Sequence, residues 1–314
     1  MHPILTITLN PALDLASHAA KVEPGPKIRC SSPKADPGGG GINVSRAIRI
    51  LGGKSIALAA LGGANGNNVA RLLAAEGIEC QRFEIAGETR QSFSVTDDTT
   101  GEQYRFVTPG PTWAKVDQTR LLSEVGKNLS GQDIVVLSGS TPAGVATDFP
   151  FHLQSLVSSK GAQLAADLSG EALKQAVSSP KGLWMLRMDQ SEAEAVADKP
   201  LPSHDSVSEF GATLVDRDVA RIIVIGLGAQ GSVMITPQTR HHARCDVPTV
   251  RSRVGAGDSL MGAMILAFAR GDTPAQALTF GVAAASAAVL TEATELCRRA
   301  DVERLLSNCV LTSL

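Results

Sequence analysis

The sequence predicts an α/β protein built on a mostly parallel β-sheet. Four short apolar runs, separated by helical patterns, have the length and composition of buried strands: residues 134–137, 163–166, 183–186 and 221–225. Each run is followed by a polar residue or a glycine. Two helical patterns also begin directly after glycine-rich segments, at 38–41 and at 255–257. Because parallel strands align their carboxyl ends at one edge of a sheet, we expect the functional residues at that edge.

Composition limits the size, partners and location of the protein. The chain has 314 residues, 43% of them hydrophobic, and a net charge of -2, so it can form one large domain or two smaller ones. Without a basic excess, neither nucleic acid nor a membrane is expected as a partner. The most apolar stretch, 275–290, contains Gln276 and Thr279 and is expected as a buried helix. Five scattered cysteines and the absence of a signal-peptide pattern predict a cytoplasmic protein with reduced, buried thiols.

The first predicted strand, residues 4–9, is followed within a few residues by Asp14. An acid just beyond the carboxyl end of a core strand is a candidate ligand residue, and a turn-forming aspartate is the equal alternative. Farther along, Lys27 and Arg29 are two residues apart, so on an extended chain they point to the same side.

Four successive glycines, 38–41, precede a helix whose apolar stripe runs from Val44 to Leu51. Such a run costs chain entropy on folding, so either a backbone lying against a ligand or a flexible linker has to explain it. Linkers rarely open directly into a patterned helix, and Asn43 in its first turn supplies a polar group for hydroxyls. Ligand contact is therefore the favoured interpretation.

Two alternating runs, 90–95 and 102–107, flank a turn sequence and predict a β-hairpin. If the turn closes this hairpin, Ser94 lies opposite Arg105. Because side chains alternate between the two faces of a strand, Arg105 is then on the same face as Arg90. These arginines, together with the two cations at positions 27 and 29, form a plausible cluster for a dianion such as a sugar phosphate. A solvated charged face is the alternative.

The segment Gly226-Leu227-Gly228-Ala229-Gln230-Gly231 has the spacing G-x-G-x-x-G after a strand. The dinucleotide-binding fingerprint requires a helix next, but residues 232–237 have a strand pattern. A Rossmann dehydrogenase is therefore not expected, and a glycine hairpin beside a nucleotide remains.

The segment Gly255-Ala256-Gly257 opens a helix that ends at Gly271. The amides of a helix's first turn have no intrahelical acceptors, so they can bind an anion such as a phosphoryl group. An anion site needs no carboxylate. Asp258, in that same turn, therefore suggests a base that takes a proton from a hydroxyl attacking phosphorus. The alternative, which these residues alone favour, is that Asp258 only caps the helix.

The glycine run with Asn43, the turn at 228–231 and the segment 254–259 resemble, in order and spacing, the ribokinase-like (PfkB) carbohydrate kinases over essentially the whole chain. Within this family the chain is most similar to the minor bacterial 6-phosphofructokinases, through residues 9–14, 36–46, 101–107 and 169–173. The neighbouring 1-phosphofructokinases and tagatose-6-phosphate kinases usually have a lysine where this chain has Gly40.

The resemblance implies one kinase domain, 1–314, with a mostly parallel sheet flanked by helices and a small β-sheet lid from about 13–35 and 87–108. It implies ATP-dependent phosphorylation of a sugar phosphate, fructose 6-phosphate to fructose 1,6-bisphosphate, with ATP and Mg²⁺ as cofactors. Lids of such kinases often pair, which implies a homodimer. Tagatose-6-phosphate or 1-phosphofructokinase activity remains an alternative, and so does a catalytically weak sugar-phosphate sensor or scaffold.

The resemblance also implies roles for single residues. Asp258 is the implied general base, and the amides of Gly255, Ala256 and Gly257 form the implied anion hole. Contacts to the sugar phosphate are implied for Asp14, Lys27, Arg29, Gly39, Gly40, Asn43, Arg90, Arg105 and Ser140. Contacts to the nucleotide are implied for Arg187, Asp189, Gly226, Gly228 and Gly231, and a contact to Mg²⁺ for Glu192.

The chain departs from the family pattern on the nucleotide side. Arg187-Met188-Asp189 stands where Lys-Pro-Asn is common, and a carboxylate at Asp189 should repel ATP unless magnesium lies between them. Gly226 stands where Ser or Thr is usual, and Arg253 where a Thr often precedes the glycine motif. Potassium activates members of the family, but residues 291–295 differ from the usual loop, so K⁺ stays open. The sugar side matches the family, so we predict a sugar-phosphate acceptor and leave the donor open.

Overall fold

The computed structural model describes residues 2–292 and 294–314 and contains two β-sheets. The strands are β1 (Ile4–Thr8), β2 (Ala12–Ala19), β3 (Lys34–Gly38), β4 (Ile56–Leu61), β5 (Glu79–Glu84), β6 (Arg90–Asp97), β7 (Gln103–Val107), β8 (Ile134–Ser138), β9 (Gln163–Asp167), β10 (Leu183–Asp189), β11 (Ala220–Gly226), β12 (Ser232–Ile235), β13 (Arg240–Arg244) and β14 (Val310–Ser313). The helices are α1 (Gly40–Ile50), α2 (Gly63–Ala75), α3 (Lys115–Asn128), α4 (Phe149–Ser159), α5 (Gly170–Ser178), α6 (Gln190–Ala197), α7 (His204–Asp216), α8 (Ala256–Arg270), α9 (Pro274–Ala288) and α10 (Arg299–Leu306), with a 3₁₀ turn at Gly228–Gln230.

The large sheet has ten strands in the order β14-β13-β12-β11-β10-β9-β8-β1-β4-β5. All pairs from β11 to β5 are parallel, and the pairs that join β12, β13 and β14 are antiparallel. The predicted α/β class with a mostly parallel sheet is confirmed. The prediction for the segment after Gly226 is confirmed as well, because β12 turns back onto β11 as a hairpin where the dinucleotide fingerprint needs a helix.

Helices cover both faces of the large sheet. On one face α1, α8, α9 and α10 form a core with residues such as Met264 and Val282, and on the other face α3 to α7 form a second core with residues such as Leu121 and Leu153. Helix α8 is buried over most of its length between α1 and α9. A helix that is apolar on nearly all sides belongs in a core, and its polar first turn is the part that reaches a site.

The small sheet consists of β3, β2, β6 and β7 in that order. Strands β6 and β7 pair with Ser94 opposite Arg105, as the hairpin parity predicts. The sequence does not predict β3, because Pro37 and the glycines beside it are rare in strands. The edge position of β3 in the sheet makes a proline acceptable there. These strands overlap the segments expected for a lid, and β3 continues beyond the first of them to Gly38.

The cysteines agree with the sequence-based expectation only in part. All five are free thiols, and Cys245 and Cys297 are buried. Cys30 is exposed because it lies in the polar segment between β2 and β3, so the expectation of a buried thiol there is wrong. Helix α9 is the expected buried helix. Among the residues that the structure describes, no helix combines the length and the hydropathy needed to cross a bilayer.

Helices α1 and α8 cross at short range through a glycine. A Cβ atom on Gly262 would lie 2.8 Å from the Cβ of Ala47 and 2.9 Å from the carbonyl oxygen of Val44. Any side chain at this position would push the helices apart. The crossing brings the first turns of both helices together, so that Asn43 of α1 reaches Asp258 of α8.

We expect Gly262→Ala to lower the free energy of unfolding by about 1 to 3 kcal/mol, because the added methyl group overpacks the crossing. Urea unfolding followed by tryptophan fluorescence measures this change. Gly126→Ala in α3 is the matched control, since the nearest atom to its Cβ is the end of the flexible Leu156 side chain at 3.3 Å. The control should be neutral or stabilising by up to about 1 kcal/mol. Equal effects of the two substitutions would contradict the packing argument.

Candidate active site

The first turn of α8 forms a group of unpaired backbone donors. Gly255 precedes the helix in a left-handed conformation, with φ of 75°, and the first helical hydrogen bond runs from Ser259 N to Gly255 O at 2.8 Å. The amides of Ala256, Gly257 and Asp258 precede this bond, so they have no acceptor within the helix. The helix dipole adds partial positive charge at the same place. The turn can therefore bind a phosphoryl group, as the sequence predicts.

Asp258 does not cap the helix. The cap position is Gly255, and no side chain accepts a capping hydrogen bond there. The Asp258 carboxylate instead accepts a hydrogen bond from Asn43 Nδ2 at 2.9 Å. The group is partly accessible, which leaves its oxygens within reach of a ligand. The capping alternative is thus wrong, and Asn43 has a specific partner that the sequence does not reveal.

The environment of Asp258 raises its pKa from 3.8 to about 6. Burial is the main cause, and the negative charge of Asp167 adds to it. The hydrogen bond from Asn43 and the positive charge of Arg187 act in the opposite direction. A carboxylate with this pKa is mostly ionised at neutral pH and still basic enough to accept a proton from a hydroxyl.

Arg187 lies against the phosphoryl site and is held there by Asp167. Its Nη1 atom donates to both carboxylate oxygens of Asp167, at 3.2 and 3.4 Å. Its Nη2 atom is 2.9 Å from where a Cβ on Gly257 would be and 3.5 Å from the same position on Gly226. A Cβ at position 226 would be at ordinary van der Waals distance from the guanidinium, so packing against Arg187 does not by itself require Gly226. Sequence reasoning missed Asp167, although it ends a strand at the predicted edge.

Asp189 and Glu192 form a reciprocal cap at the start of α6. Asp189 Oδ1 accepts from the Glu192 N–H at 2.9 Å and from Ser191 Oγ at 2.7 Å, and Glu192 Oε2 accepts from the Asp189 N–H at 2.8 Å. This is the geometry of a capping box. The unusual carboxylate at position 189 therefore has a structural role.

A third cluster combines Asp14 with arginines of the small sheet. Burial raises the pKa of Asp14. The hydrogen bond from Ser92 and the positive charges of Arg90 and Arg105 lower it by a smaller amount. Burial in turn lowers the pKa of Arg90, although the charge of Asp14 opposes it. The arginines of the predicted hairpin thus lie beside Asp14, on the sheet face that the register predicts. Arg105 is exposed and available to an anion.

Asn10, which the sequence analysis does not include in the site, connects this cluster to Ser140. Arg90 Nε donates to the Asn10 carbonyl oxygen at 3.3 Å, and Asn10 Nδ2 donates to Ser140 Oγ at 3.0 Å. Lys27 and Arg29 are exposed in the segment between β2 and β3. Neither has an ion pair with a described residue, so the structure does not join them to the arginine cluster.

The protein's own groups approach the predicted site glycines closely. Gly39 starts α1 with φ of 113°, and a Cβ on Gly40 would be 2.5 Å from Gly139 N and would collide with Ser138 Oγ. In the nucleotide-side turn, Gly228 has φ of 59° with open space around it, whereas a Cβ on Gly231 would collide with the Ala243 carbonyl oxygen. Packing within the protein therefore explains part of the glycine content that the sequence analysis ascribes to a ligand.

Comparisons with known proteins identify the family. The model of the pfkB family carbohydrate kinases matches residues 7–301. The chain belongs to the pfkB family. It is 37% identical to the ATP-dependent 6-phosphofructokinase isozyme 2 of Escherichia coli (strain K12) over 96% of this chain and 97% of that protein. It is 29% identical to a 1-phosphofructokinase of Xanthomonas campestris pv. campestris, over 98% and 91% of the two chains.

The structure of phosphofructokinase-2 from Escherichia coli in complex with fructose-6-phosphate has a TM-score of 0.91 with this protein. The sequences are 36% identical, and the match covers 98% of this chain and 99% of that chain. The predicted family and its ribokinase-like fold are confirmed. The arrangement of Asp258, the α8 amides and the arginine cluster therefore belongs to a pfkB kinase.

The acidic residues around the start of α6 in this pfkB kinase fit a divalent cation. Burial raises the pKa of Glu192, and the negative charges of Asp189 and Asp167 raise it further. The hydrogen bond from the Asp189 N–H acts in the opposite direction. A cation would relieve this repulsion, and carboxylate oxygens are ligands that Mg²⁺ prefers. In the described part of the chain, no three such side chains converge to hold a metal alone. Mg²⁺ commonly uses one or two carboxylates together with phosphates and water.

We expect Asp258→Asn to stabilise the ligand-free protein at neutral pH. The folded chain holds the Asp258 proton more tightly than the unfolded chain, since the pKa rises from 3.8 to about 6 on folding. Ionisation of Asp258 therefore destabilises the native state. This destabilisation is absent below about pH 4, where the group is protonated in both states, and it is complete above about pH 6. The gain from the substitution should grow by about 1 to 3 kcal/mol between pH 4 and pH 7.

Chemical unfolding of both proteins across this pH range measures the gain. Asp246→Asn, which removes an exposed carboxylate paired with Arg244, controls for the loss of one negative charge. A stability difference that stays constant with pH would contradict the raised pKa.

Proposed function

We propose that this protein transfers the terminal phosphoryl group of ATP to the 1-hydroxyl of fructose 6-phosphate and forms fructose 1,6-bisphosphate. The observation that carries this proposal is the position of Asp258, held by Asn43 beside the unpaired amides of α8. A base and an anion site within one helical turn suit an alcohol that attacks phosphorus. The high identity to named 6-phosphofructokinases supports the choice of sugar.

In the proposed reaction, Asp258 accepts the hydroxyl proton while the sugar oxygen bonds to the terminal phosphorus and the bond from that phosphorus to the ADP oxygen breaks. The Ala256 and Gly257 amides stabilise the charge on the transferring group, with the Gly255 amide in the same turn. The Arg187 guanidinium, fixed by Asp167, adds a positive charge beside them. Because these groups are positioned before the substrate arrives, little reorganisation is needed during the reaction.

The sugar phosphate would bind at the other end of the site. Asp14, Gly39 and Asn43 would contact hydroxyls, and Arg90, Arg105 and Ser140 would surround the phosphate, with Lys27 and Arg29 as further cations. Gly40 favours the 6-phosphofructokinase reaction over the alternatives. The lysine that 1-phosphofructokinases and tagatose-6-phosphate kinases usually have there would force Ser138 and Gly139 to move.

Magnesium would supply charge neutralisation of the nucleotide phosphates, and Glu192 and Asp189 are the residues that would hold it, directly or through water. Gly226, Gly228 and Gly231 would line the nucleotide side. Potassium is a further candidate cofactor. Its expected loop, 291–295, contains Ala293, which lies outside the described residues.

The proposed assembly is a cytoplasmic homodimer formed through the small sheet, which would act as a lid. Its edge strand β7 exposes two adjacent apolar side chains, Phe106 at 57% and Val107 at 61%. Ile28, in the segment between β2 and β3, is 41% exposed. The free edge of a strand such as β7 can pair with a second chain, and exposed apolar side chains beside it favour such a contact.

We expect purified protein to phosphorylate fructose 6-phosphate with MgATP in a coupled assay, and Asp258→Asn to lower kcat by about 10² to 10⁴-fold. Asp246→Asn should leave kcat unchanged, because this carboxylate is exposed in the segment after β13 and pairs with Arg244, which is not a site residue. Parallel assays with tagatose 6-phosphate and fructose 1-phosphate rank the acceptors by kcat/KM.

Binding of fructose 6-phosphate without turnover from ATP or any other nucleotide would contradict the kinase proposal and support the sensor alternative. The replacements at Arg187, Asp189 and Gly226 are the observations that favour that alternative. Turnover of parent and Asp258→Asn at similar rates would contradict the role of the base.

A further inference from the structure

A buried arginine, Arg46, connects three elements of the molecule. Its side chain, on α1, is 8% exposed. On one side its Nε atom donates to Glu76 Oε2 at 2.8 Å, at the end of α2. On the other side its Nη1 atom donates to the Pro37 carbonyl oxygen at 3.3 Å, and its Nη2 atom is 3.6 Å from Asp36 Oδ1, both on β3 of the small sheet. A buried guanidinium with several partners fixes their relative positions.

Asp36 and Arg46 both bind the segment that precedes α10. Thr294 Oγ1 donates to Asp36 Oδ2 at 2.5 Å, and Arg46 Nη1 donates to the Thr294 carbonyl oxygen at 3.5 Å. Asp36 is only 5% exposed. A hydrogen bond to a buried charged group is among the stronger ones in proteins. Losing it would leave Asp36 with only its ion pairs to Arg46, at 3.6 Å, and to Lys34, at 3.2 Å, and neither of these ion pairs involves the Thr294 side chain.

The same segment packs on the phosphoryl site. Leu296, two residues after Thr294, contacts Gly255 so closely that a Cβ there would be 2.5 Å from Leu296 Cδ2. On the other side of the segment, Arg251 Nη1 pairs with Glu292 Oε1 at 3.0 Å. The chain on both sides of Thr294 therefore contacts the residues that lead into α8, and a shift of this segment would displace the anion hole.

The other end of this set of contacts lies at Asp14, the acid near Arg90 and Arg105. Asp36 is directly opposite Asp14 in the pairing of β3 with β2. Opposed residues of paired strands lie on the same face of a sheet. The charge of Arg46 also opposes the rise that burial causes in the pKa of Asp14, which places the guanidinium within electrostatic reach of Asp14. One continuous set of contacts thus joins Asp14 to Gly255.

We propose that Asp36, Arg46 and Thr294 are positioning residues that couple the small sheet to the anion hole. Binding of the sugar phosphate fixes the small sheet, and the Asp36–Thr294 hydrogen bond transmits that position to the start of α8. The affinities for sugar phosphate and nucleotide are then linked, and the phosphoryl site is aligned when the sugar is in place. This inference rests on the proposed function for the sugar-phosphate and nucleotide sites, and only its effect on kcat requires that the protein catalyses phosphoryl transfer.

Thr294→Val tests the coupling, because it removes one hydroxyl and keeps the shape of the side chain. The dissociation constant of fructose 6-phosphate is measured by calorimetry with and without a non-hydrolysable ATP analogue and Mg²⁺. In the parent we expect the two values to differ about fivefold or more, the usual lower range of coupling between sites. In Thr294→Val they should agree within about twofold, and kcat should fall about tenfold or more, while the affinity for the sugar alone changes little.

Two matched variants separate positioning from general stability. Thr294→Ser restores the hydroxyl and should restore the coupling. Glu76→Gln weakens the other interaction of Arg46 without touching β3 or the segment at Thr294, so it should lower stability and preserve the coupling. Loss of coupling in Glu76→Gln as well would assign the effect to stability and overturn the proposal.

The binding measurement also separates this inference from the proposed function. If binding of the two ligands is coupled in the parent and not in Thr294→Val, the inference is supported, whether or not the protein turns over a nucleotide. The absence of turnover would contradict only the kinase proposal. A parent without coupling, or a Thr294→Val protein with the coupling and kcat of the parent, would overturn the inference and leave the kinase proposal intact.

Discussion

The proposed activity depends on keeping one carboxylate ionisable at a site where burial favours its protonated form. Burial raises the pKa of Asp258 to about 6, while the hydrogen bond from Asn43 and the charge of Arg187 limit the rise. Without these two groups the pKa would rise further, and a smaller fraction of the carboxylate would be ionised and able to accept a proton at neutral pH. The short crossing of α1 and α8 and the pairing of Arg187 with Asp167 both maintain this balance.

Acids lie near guanidinium groups at both ends of the candidate site. Asp167 holds Arg187 beside the α8 amides, and the charges of Arg90 and Arg105 act on Asp14. The pairing with Asp167 orders the Arg187 side chain in advance, so less entropy is lost when an anion binds. Two guanidinium groups near one carboxylate leave net positive charge, which suits the phosphate of the proposed sugar substrate.

The glycines illustrate what a sequence can and cannot reveal. The run at 38–41 and the glycines at 255 and 257 indicate positions where a side chain is disfavoured, but not which group comes close. In the structure that group is often another part of the protein: Ser138 against Gly40, Arg187 against Gly257, and α1 against Gly262. These neighbours are distant in sequence, so a local pattern cannot identify them.

The sequence by itself determined the elements that depend on neighbouring residues. Apolar runs indicated the strands at 134–137, 163–166, 183–186 and 221–225 and with them the α/β class. Alternation in the hairpin placed Ser94 opposite Arg105, and the local motif identified the amides and acid at the start of α8. Only the tertiary structure decided which side chains meet. Asn43 and Asp258 are 215 positions apart, Arg187 and Asp167 are 20 apart, and Thr294 and Asp36 are 258 apart. Such partners are chosen by the packing of helices and sheets, and no periodicity within a short window records that choice.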